Sequence, residues 1–516
     1  MLTSTGVRAG IADERPFSSI PEALAHWASV QPDAVAVDDG TEVLTYGDLK
    51  DRVEKCALRL RALAVHPGER VVIVGHNSVV WVVAYLSVLH AGAVVAPANN
   101  RLSPAQFAQQ VDLLDARLVL HDADHRHLAE DTTSDRRLAL ELASLAHGTT
   151  ADERPPSGAS DPDAPALISF TSGTTGLPKG AVLTSSALFA GSAVFADYLS
   201  SSPADSTLVL VPLFHNTGFV DQLGHMLVCG GRTNLLPKFR TADATAALAR
   251  QPVTFVTAVP SIIRLLMVAE GADEALSHAR VVLFGGSPMP AAWSQELMDR
   301  WAGLRLVHGY GLTEFTSACS FLPHEYMLTD GESVGFPAPD VELRITDDTG
   351  SPAPAGHVGE VWVAGPTRMS GYWRQPELTA AKTSGAWLRT GDLGFRDERG
   401  LLWLTGRVDD IINRGGEKVL PAFVESCLAD VPAIAQAAVF GVEDPILQHR
   451  IAAAIELRAH ATFDEVSAVR QLASRLPDYA VPEQWYVVET LPRTASGKVD
   501  RRAARQLLSS TLQENP

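Results

Sequence analysis

The 516-residue chain predicts an α/β fold: a large N-terminal domain of α/β layers with a β-rich lobe, then a small α+β C-terminal domain. Three observations predict it. Short β-branched apolar runs recur at residues 71–74, 208–211, 255–259, 281–284 and 304–307, separated by helical stretches, as in a sheet buried on both faces. From about Val341 the pattern changes to short strands and turns, including 359–363 and 401–404. Beyond Arg407-Val408-Asp409-Asp410 strands and helices alternate again, so the expected boundary falls there, between 1–406 and 410–516.

The elements follow in order. Thr45-Tyr46-Gly47-Asp48 has the form of a capping box, after which Leu49, Val53, Cys56 and Leu60 recur at helical spacing until Pro67-Gly68 stops the unit. Residues 79–98 are apolar over the length of a bilayer-crossing helix. Ser87, His90, Gly92 and Pro97 divide them into a helix ending near Leu89 or His90, a turn, and a strand at 93–96. Residues 148–164, rich in Pro, Ser, Asp and Gly, read as an exposed loop, and 166–170 and 181–184 as strands on either side of a Gly/Thr-rich loop. Near the end, Pro421 opens a helix carrying Phe423, Val424 and Leu428, and Asp500 caps a basic helix beginning Arg501-Arg502.

Composition narrows the function. With 46% hydrophobic residues the chain can bury a large core, and its net charge of -18 opposes broad attraction to nucleic acid or anionic membranes. Cys56, Cys229, Cys319 and Cys427 show no CxxC spacing, which fits a reducing compartment. Residues 1–20 hold Arg8, Asp13, Glu14 and Arg15 without the apolar stretch of a secretory leader, so a cytoplasmic protein is expected. Oligomeric state is not legible.

The loop Thr171-Ser172-Gly173-Thr174-Thr175-Gly176-Leu177-Pro178-Lys179-Gly180 offers hydroxyls and glycine-exposed backbone N–H groups suited to a polyphosphate. Lys179 follows Pro178 and precedes Gly180, so this is no Walker A motif. Read alone, it is also compatible with a surface turn. Far downstream, Thr494-Ala495-Ser496-Gly497-Lys498 places a second lysine in a loop just before a helix.

Four further segments complete the pattern: Pro212-Leu213-Phe214-His215, Phe284-Gly285-Gly286-Ser287-Pro288, Gly309-Tyr310-Gly311-Leu312-Thr313-Glu314 and Arg389-Thr390-Gly391-Asp392. In order and spacing the chain resembles the acyl-CoA synthetase branch of the adenylate-forming superfamily, which includes luciferase and nonribosomal adenylation domains. The resemblance runs from Leu44 to Lys498. It implies ATP-dependent activation of a carboxylic acid to acyl-AMP with pyrophosphate release, then transfer to CoA.

The resemblance also implies roles. Tyr310 and Gly311 would lie at the adenine, flanked by Gly286-Ser287; Thr313 would touch phosphate and Glu314 would hold Mg²⁺. These residue types suit the chemistry: an aromatic face stacks, a hydroxyl donates, and a carboxylate is a hard oxygen ligand. Asp392 would bind the ribose hydroxyls, Arg407 would sit near ribose and phosphate, and Lys498 would bridge the acid and the α-phosphate. Asp409 matches the hinge, and Gly416, in Gly415-Gly416-Glu417-Lys418, would leave room for the pantetheine arm of CoA once the small domain rotates. Asn413 stands where some relatives carry lysine, and Gln448 replaces a common family glycine.

His215 stands where amino-acid adenylating relatives place an acidic partner for the substrate ammonium, which favours an acid without an α-amino group; fatty, aryl and dicarboxylic acids stay open. So does the acceptor: CoA, a carrier-protein phosphopantetheine, an amine, or the nitrite chemistry of diazotising relatives. A noncatalytic nucleotide-binding relative is the reading outside enzymes, opposed by intact Thr171, Glu314, Asp392 and Lys498.

Overall fold

The computed structural model describes residues 15–134, 137–147, 161–171, 178–347, 349–414, 417–473, 475–493 and 499–512. The chain divides into two units by packing: the N-terminal side through Leu343 together with Val363–Arg389, and Arg344–Trp362 together with Thr390 onward. The β-rich stretch expected to complete the large domain thus packs largely with the C-terminal residues. A hinge at 407–409 concerns motion, which packing does not address.

Two sheets organise the first unit. In the nine-stranded sheet the order is Phe336–Pro337, Ser317–Leu322, Arg305–Leu312, Val281–Gly285, Phe255–Ala258, Ser206–Val209, Arg232–Leu235, Val35–Asp38 and Val43–Thr45. From Arg305–Leu312 to Val35–Asp38 every pairing is parallel, and the flanking strands run antiparallel. The seven-stranded sheet has the order Gly371–Tyr372, Lys179–Thr184, Pro165–Thr171, Val94–Pro97, Arg70–Val74, Leu118–His121 and Leu138–Glu141. Its Pro165–Thr171 and Lys179–Thr184 strands pair antiparallel with Thr171 opposite Lys179, so the expected strand–loop–strand holds.

Local signals explain these elements. Thr45 caps the helix Tyr46–Ala62 in a reciprocal box with Asp48, and the face bearing Leu49, Val53, Cys56 and Leu60 is buried. The apolar stretch becomes the helix Val79–His90 and the strand Val94–Pro97, buried nearly all round. Among the described residues no helix is long and apolar enough to cross a membrane. Residues 148–160 of the expected loop lie outside the described residues.

One side chain ties the two sheets. Asn77, buried just after Arg70–Val74, donates to the carbonyls of Val211 (2.9 Å) and Leu236 (3.0 Å) and accepts from the Leu213 N–H at 2.7 Å. It grips the backbone just before His215.

In the second unit Trp387–Arg396 lies between Gly359–Ala364 and Leu402–Arg407. A hairpin of Ile412–Arg414 and Glu417–Val419 follows, then a three-stranded sheet of Ile434–Asp444, Gln448–Leu457 and Gln484–Val488. Pro421 opens its helix as expected, and Val424 and Leu428 enter a core with Ile434, Val439, Ile451 and Ile455. Phe423, next to Val424 on the same helix, is 47% exposed, because adjacent helical positions point about 100° apart. Asp500 caps the last helix, accepting the Ala503 N–H at 2.9 Å.

Candidate active site

The expected site residues of the first unit gather at the ends of parallel strands. Val281–Gly285 and Arg305–Leu312 run side by side, with Gly285 opposite Gly309. A side chain on Gly285 would put its Cβ 2.7 Å from the Gly309 carbonyl oxygen, so the two strands close only over glycine. Gly286 then takes φ +83° and leads to an exposed Ser287.

Arg305–Leu312 is longer than the apolar run predicted, since it continues through Tyr310 and Gly311 with a register shift between them. A Cβ on Gly311 would lie 1.6 Å from the Ser317 carbonyl oxygen, an impossible approach. The turn Thr313–Phe315 follows, and it returns through Thr316 at φ +55° and Ser317 at φ +137°. Thr316 Oγ1 donates to the Thr367 carbonyl at 2.6 Å, which helps hold this uncommon backbone.

Glu314 is half-buried, and Tyr372 donates its hydroxyl to Glu314 Oε1 at 2.7 Å. A hard carboxylate oriented in this way fits the Mg²⁺ role implied by the sequence. Tyr372 belongs to the short strand paired with Lys179–Thr184, the strand that leaves the phosphate loop. Residues 172–177, and with them the expected contributions of Ser172, Gly173, Thr174, Thr175 and Gly176, lie outside the described residues, as does the Thr171 side chain. Lys179 is half-buried at the far end of the loop.

His215 precedes a helix that starts at Asn216 and widens into a π-turn over Phe219–Gly224. Its ring keeps an exposed surface although protein surrounds it on most sides, as in an open cleft. That desolvation, with the charge of Arg101, lowers its pKa to about 4, so the imidazole is neutral near pH 7. Asn216 Oδ1 accepts from Ser169 Oγ at 2.9 Å, linking the helix to the strand that enters the phosphate loop.

Asp221, a residue that sequence reasoning missed, lies in the π-turn and is 8% exposed. Burial raises its pKa to about 7 against the opposing hydrogen bonds of Ser317 and Thr217. The influence of Ser317 on Asp221 places the His215 helix close to the strand that follows the Thr313–Glu314 turn. A chain of contacts runs from the strand before residues 172–177 to the strand after them: Ser169 to Asn216, Asp221 beside Ser317, Glu314 to Tyr372, and Tyr372 to the Lys179–Thr184 strand.

In the second unit Asp392 and Arg407 face each other across paired strands, with Arg407 Nη1 3.4 Å from Asp392 Oδ1. Asp392 is 8% exposed, and its N–H is taken by Thr390 Oγ1 at 2.9 Å, which fixes the turn at Gly391. Asp409 lies in the short turn Val408–Asp410, while Gly416 and Lys498 lie outside the described residues. Close to Lys498 in sequence, Arg501 donates to Glu425 Oε1 and Oε2 (2.6 and 2.5 Å) and to Asp410 Oδ2 (2.6 Å), a clamp that no local pattern announced. Gln448 has φ +67°, a left-handed backbone conformation that glycine adopts most readily.

Comparison with known proteins identifies the family. The family described as AMP-binding enzyme matches residues 24–373, and its C-terminal domain matches residues 424–498. The chain belongs to this family. It is 32% identical to a feruloyl-CoA synthase of Amycolatopsis over 94% of this chain and 99% of that protein. It is also 32% identical to the 2-succinylbenzoate–CoA ligase of Geobacillus kaustophilus, over 96% and 100%. The o-succinylbenzoate CoA synthetase of Bacillus subtilis, solved with its acyl-adenylate intermediate, superposes with TM-score 0.84 at 27% identity, covering 94% of this chain and 98% of that one. The same enzyme solved with ATP and magnesium gives TM-score 0.83 at 27% identity, over 94% and 99%. Our chain is an enzyme of this AMP-forming acid–thiol ligase type.

Proposed function

We propose that this ligase activates an aryl carboxylic acid held beside the His215 helix and delivers the acyl group to CoA, in the cytoplasm. The observation that supports the reading is the chain of contacts from Ser169 through Asn216 and from Glu314 through Tyr372 to the Lys179–Thr184 strand, with Asp221 beside Ser317, which brings the turn at Thr313–Glu314 and the His215 helix near the same pair of strands. The aryl acids in the names of the relatives favour that substrate class. A neutral His215 also offers no charge to hold an α-ammonium group.

A carboxylate oxygen attacks the α-phosphorus of ATP, a new P–O bond forms, and pyrophosphate carries away the electrons of the broken P–O bond. Thr171 to Thr175, Lys179 and Lys498 oppose the charge that develops, and Thr313 hydrogen-bonds phosphate. Tyr310, Gly286 and Ser287 hold the adenine, and Asp392 and Arg407 the ribose. Glu314 would hold Mg²⁺, whose charge neutralises polyphosphate. The CoA sulfur then attacks the acyl carbon and AMP leaves. Rotation at Asp409 exchanges Lys498 for the segment at Gly416 between the two steps, with 410–516 moving against 1–406.

Pyrophosphate release, measured over aryl, fatty, dicarboxylic and amino acids with and without CoA, tests this reading. Release with an aryl acid and a CoA thioester detected by mass supports it. Preference for a fatty or amino acid overturns the substrate class, and acyl-AMP that CoA does not consume indicates a carrier protein or amine as acceptor.

A further inference from the structure

Four titratable side chains that the proposed reaction does not use, His76, Asp122, Asp124 and His125, meet at one end of the seven-stranded sheet. The strands Arg70–Val74 and Leu118–His121 run parallel with Val74 opposite His121, so His76 and Asp122, just past each strand, emerge side by side. Asp122 organises the corner. Its Oδ2 accepts the His76 N–H at 2.8 Å, while its Oδ1 accepts the His125 N–H at 3.0 Å and lies 2.5 Å from His125 Nδ1. The two imidazoles stand edge to face with centroids 4.8 Å apart, and His76 Nε2 lies 3.2 Å from Asp124 Oδ2. The His125 side chain is 9% exposed, whereas those of His76 and Asp122 keep 22% and 23% and that of Asp124 64%, so the corner has a buried base and opens to solvent.

We propose that His76, Asp122 and His125 bind one divalent ion of the zinc type, with Asp124 as fourth ligand, and that the ion pins the end of Arg70–Val74 to the turn at 122–125. One ligand atom from each of the first three lies within 4.8 Å of the others. Ligands of a tetrahedral zinc stand ~3.4 Å apart, so side-chain rotations of about an ångström close the site. With the His125 proton on Nε2, its Nδ1 and the Asp122 carboxylate face one ion instead of each other. Imidazoles together with carboxylates suit zinc, whereas magnesium prefers oxygen ligands throughout. The two Asp carboxylates balance the charge of the ion, and Lys238 Nζ, 3.4 Å from Asp124 Oδ2, is the cation it competes with. The position gives the ion a mechanical role. Asn77, next to His76, holds the backbone of Val211, Leu213 and Leu236, so a fixed His76 steadies the junction of the two sheets.

The test titrates untagged, chelator-stripped protein with Zn²⁺ against a chromogenic chelator, and with Co²⁺, whose visible absorption is strong only in four-coordinate sites. We expect one tight equivalent with a four-coordinate Co²⁺ spectrum, affinity lowered about 10–100-fold in His76→Ala and His125→Ala, and affinity raised in Lys238→Ala, where the competing charge is gone. Glu314→Gln should bind the ion as the wild type does. Circular dichroism establishes which variants fold, and the exposed Lys238 carries the test if the histidine variants do not. A wild type that takes up no tight equivalent overturns the proposal, as does equal affinity in the wild type, Lys238→Ala and whichever histidine variants fold. Loss of the equivalent in Glu314→Gln would assign it to the carboxylate proposed for Mg²⁺ and overturn the proposal as well.

Discussion

Asp221 and Arg501 are both ionisable groups withdrawn from water, one in each unit, and the protein treats them in opposite ways. Arg501 has two carboxylate partners: burial alone would lower its pKa, but the hydrogen bonds and charges of Glu425 and Asp410 raise it. Asp221 lies near the Ser317 and Thr217 hydroxyls, keeps an oxygen without a partner among the described residues, and has a pKa raised by burial to about 7. A paired charge is a structural device. An unpaired one is a standing cost in stability.

The largest expected effect lies beside the paired group. Lys498→Ala should slow adenylate formation by about 10²–10³-fold, the scale for losing one donor aimed at developing charge, while conversion of supplied acyl-AMP to thioester stays near wild-type rate. Equal loss in both half-reactions would separate Lys498 from the first step. Next, Arg501→Met leaves Glu425 and Asp410 without their partner and should cost ~2 kcal/mol in urea unfolding, reduced from the fully buried case because the side chains are partly exposed. An unchanged midpoint would mean that the clamp contributes nothing.

A third effect has the opposite sign. The folded-state pKa of Asp221 is about 7 against an ordinary 3.8, so its contribution to stability is fully present below about 3.8 and is lost as pH rises through about 7. Asp221→Asn does not titrate. It should therefore gain on the wild type progressively between pH 4 and pH 7 and level off near pH 8. Parallel pH–stability curves for the two proteins would show that Asp221 is not held against its charge.

Much of this was legible in the sequence, for identifiable reasons. The Thr45–Asp48 box, the break at Gly92 and the strands around the phosphate loop are local events, set by capping chemistry, turn residues and β-branched runs. Buried parallel strands announce themselves as apolar runs, although Arg305–Leu312 outran its run because Tyr310 and Gly311 remain in the ladder without being apolar. The Tyr372 hydroxyl on Glu314, 58 residues away, and Arg501 on Asp410, 91 away, leave no periodic trace. The π-turn at Phe219–Gly224 was hidden for another reason: one widened turn shifts the buried face without changing the apolar composition that suggests a helix. Asp221 therefore passed unnoticed among buried neighbours.

Asn77 has a mechanical consequence. Its three bonds to Val211, Leu213 and Leu236 make a rivet between layers, placed at the threshold of the cleft and not within it. A worker reshaping that cleft for a bulkier acid could widen it from the ring side, but any change that spreads the layers must first shear this rivet, and the backbone carrying His215 would loosen together with the gap it was meant to enlarge.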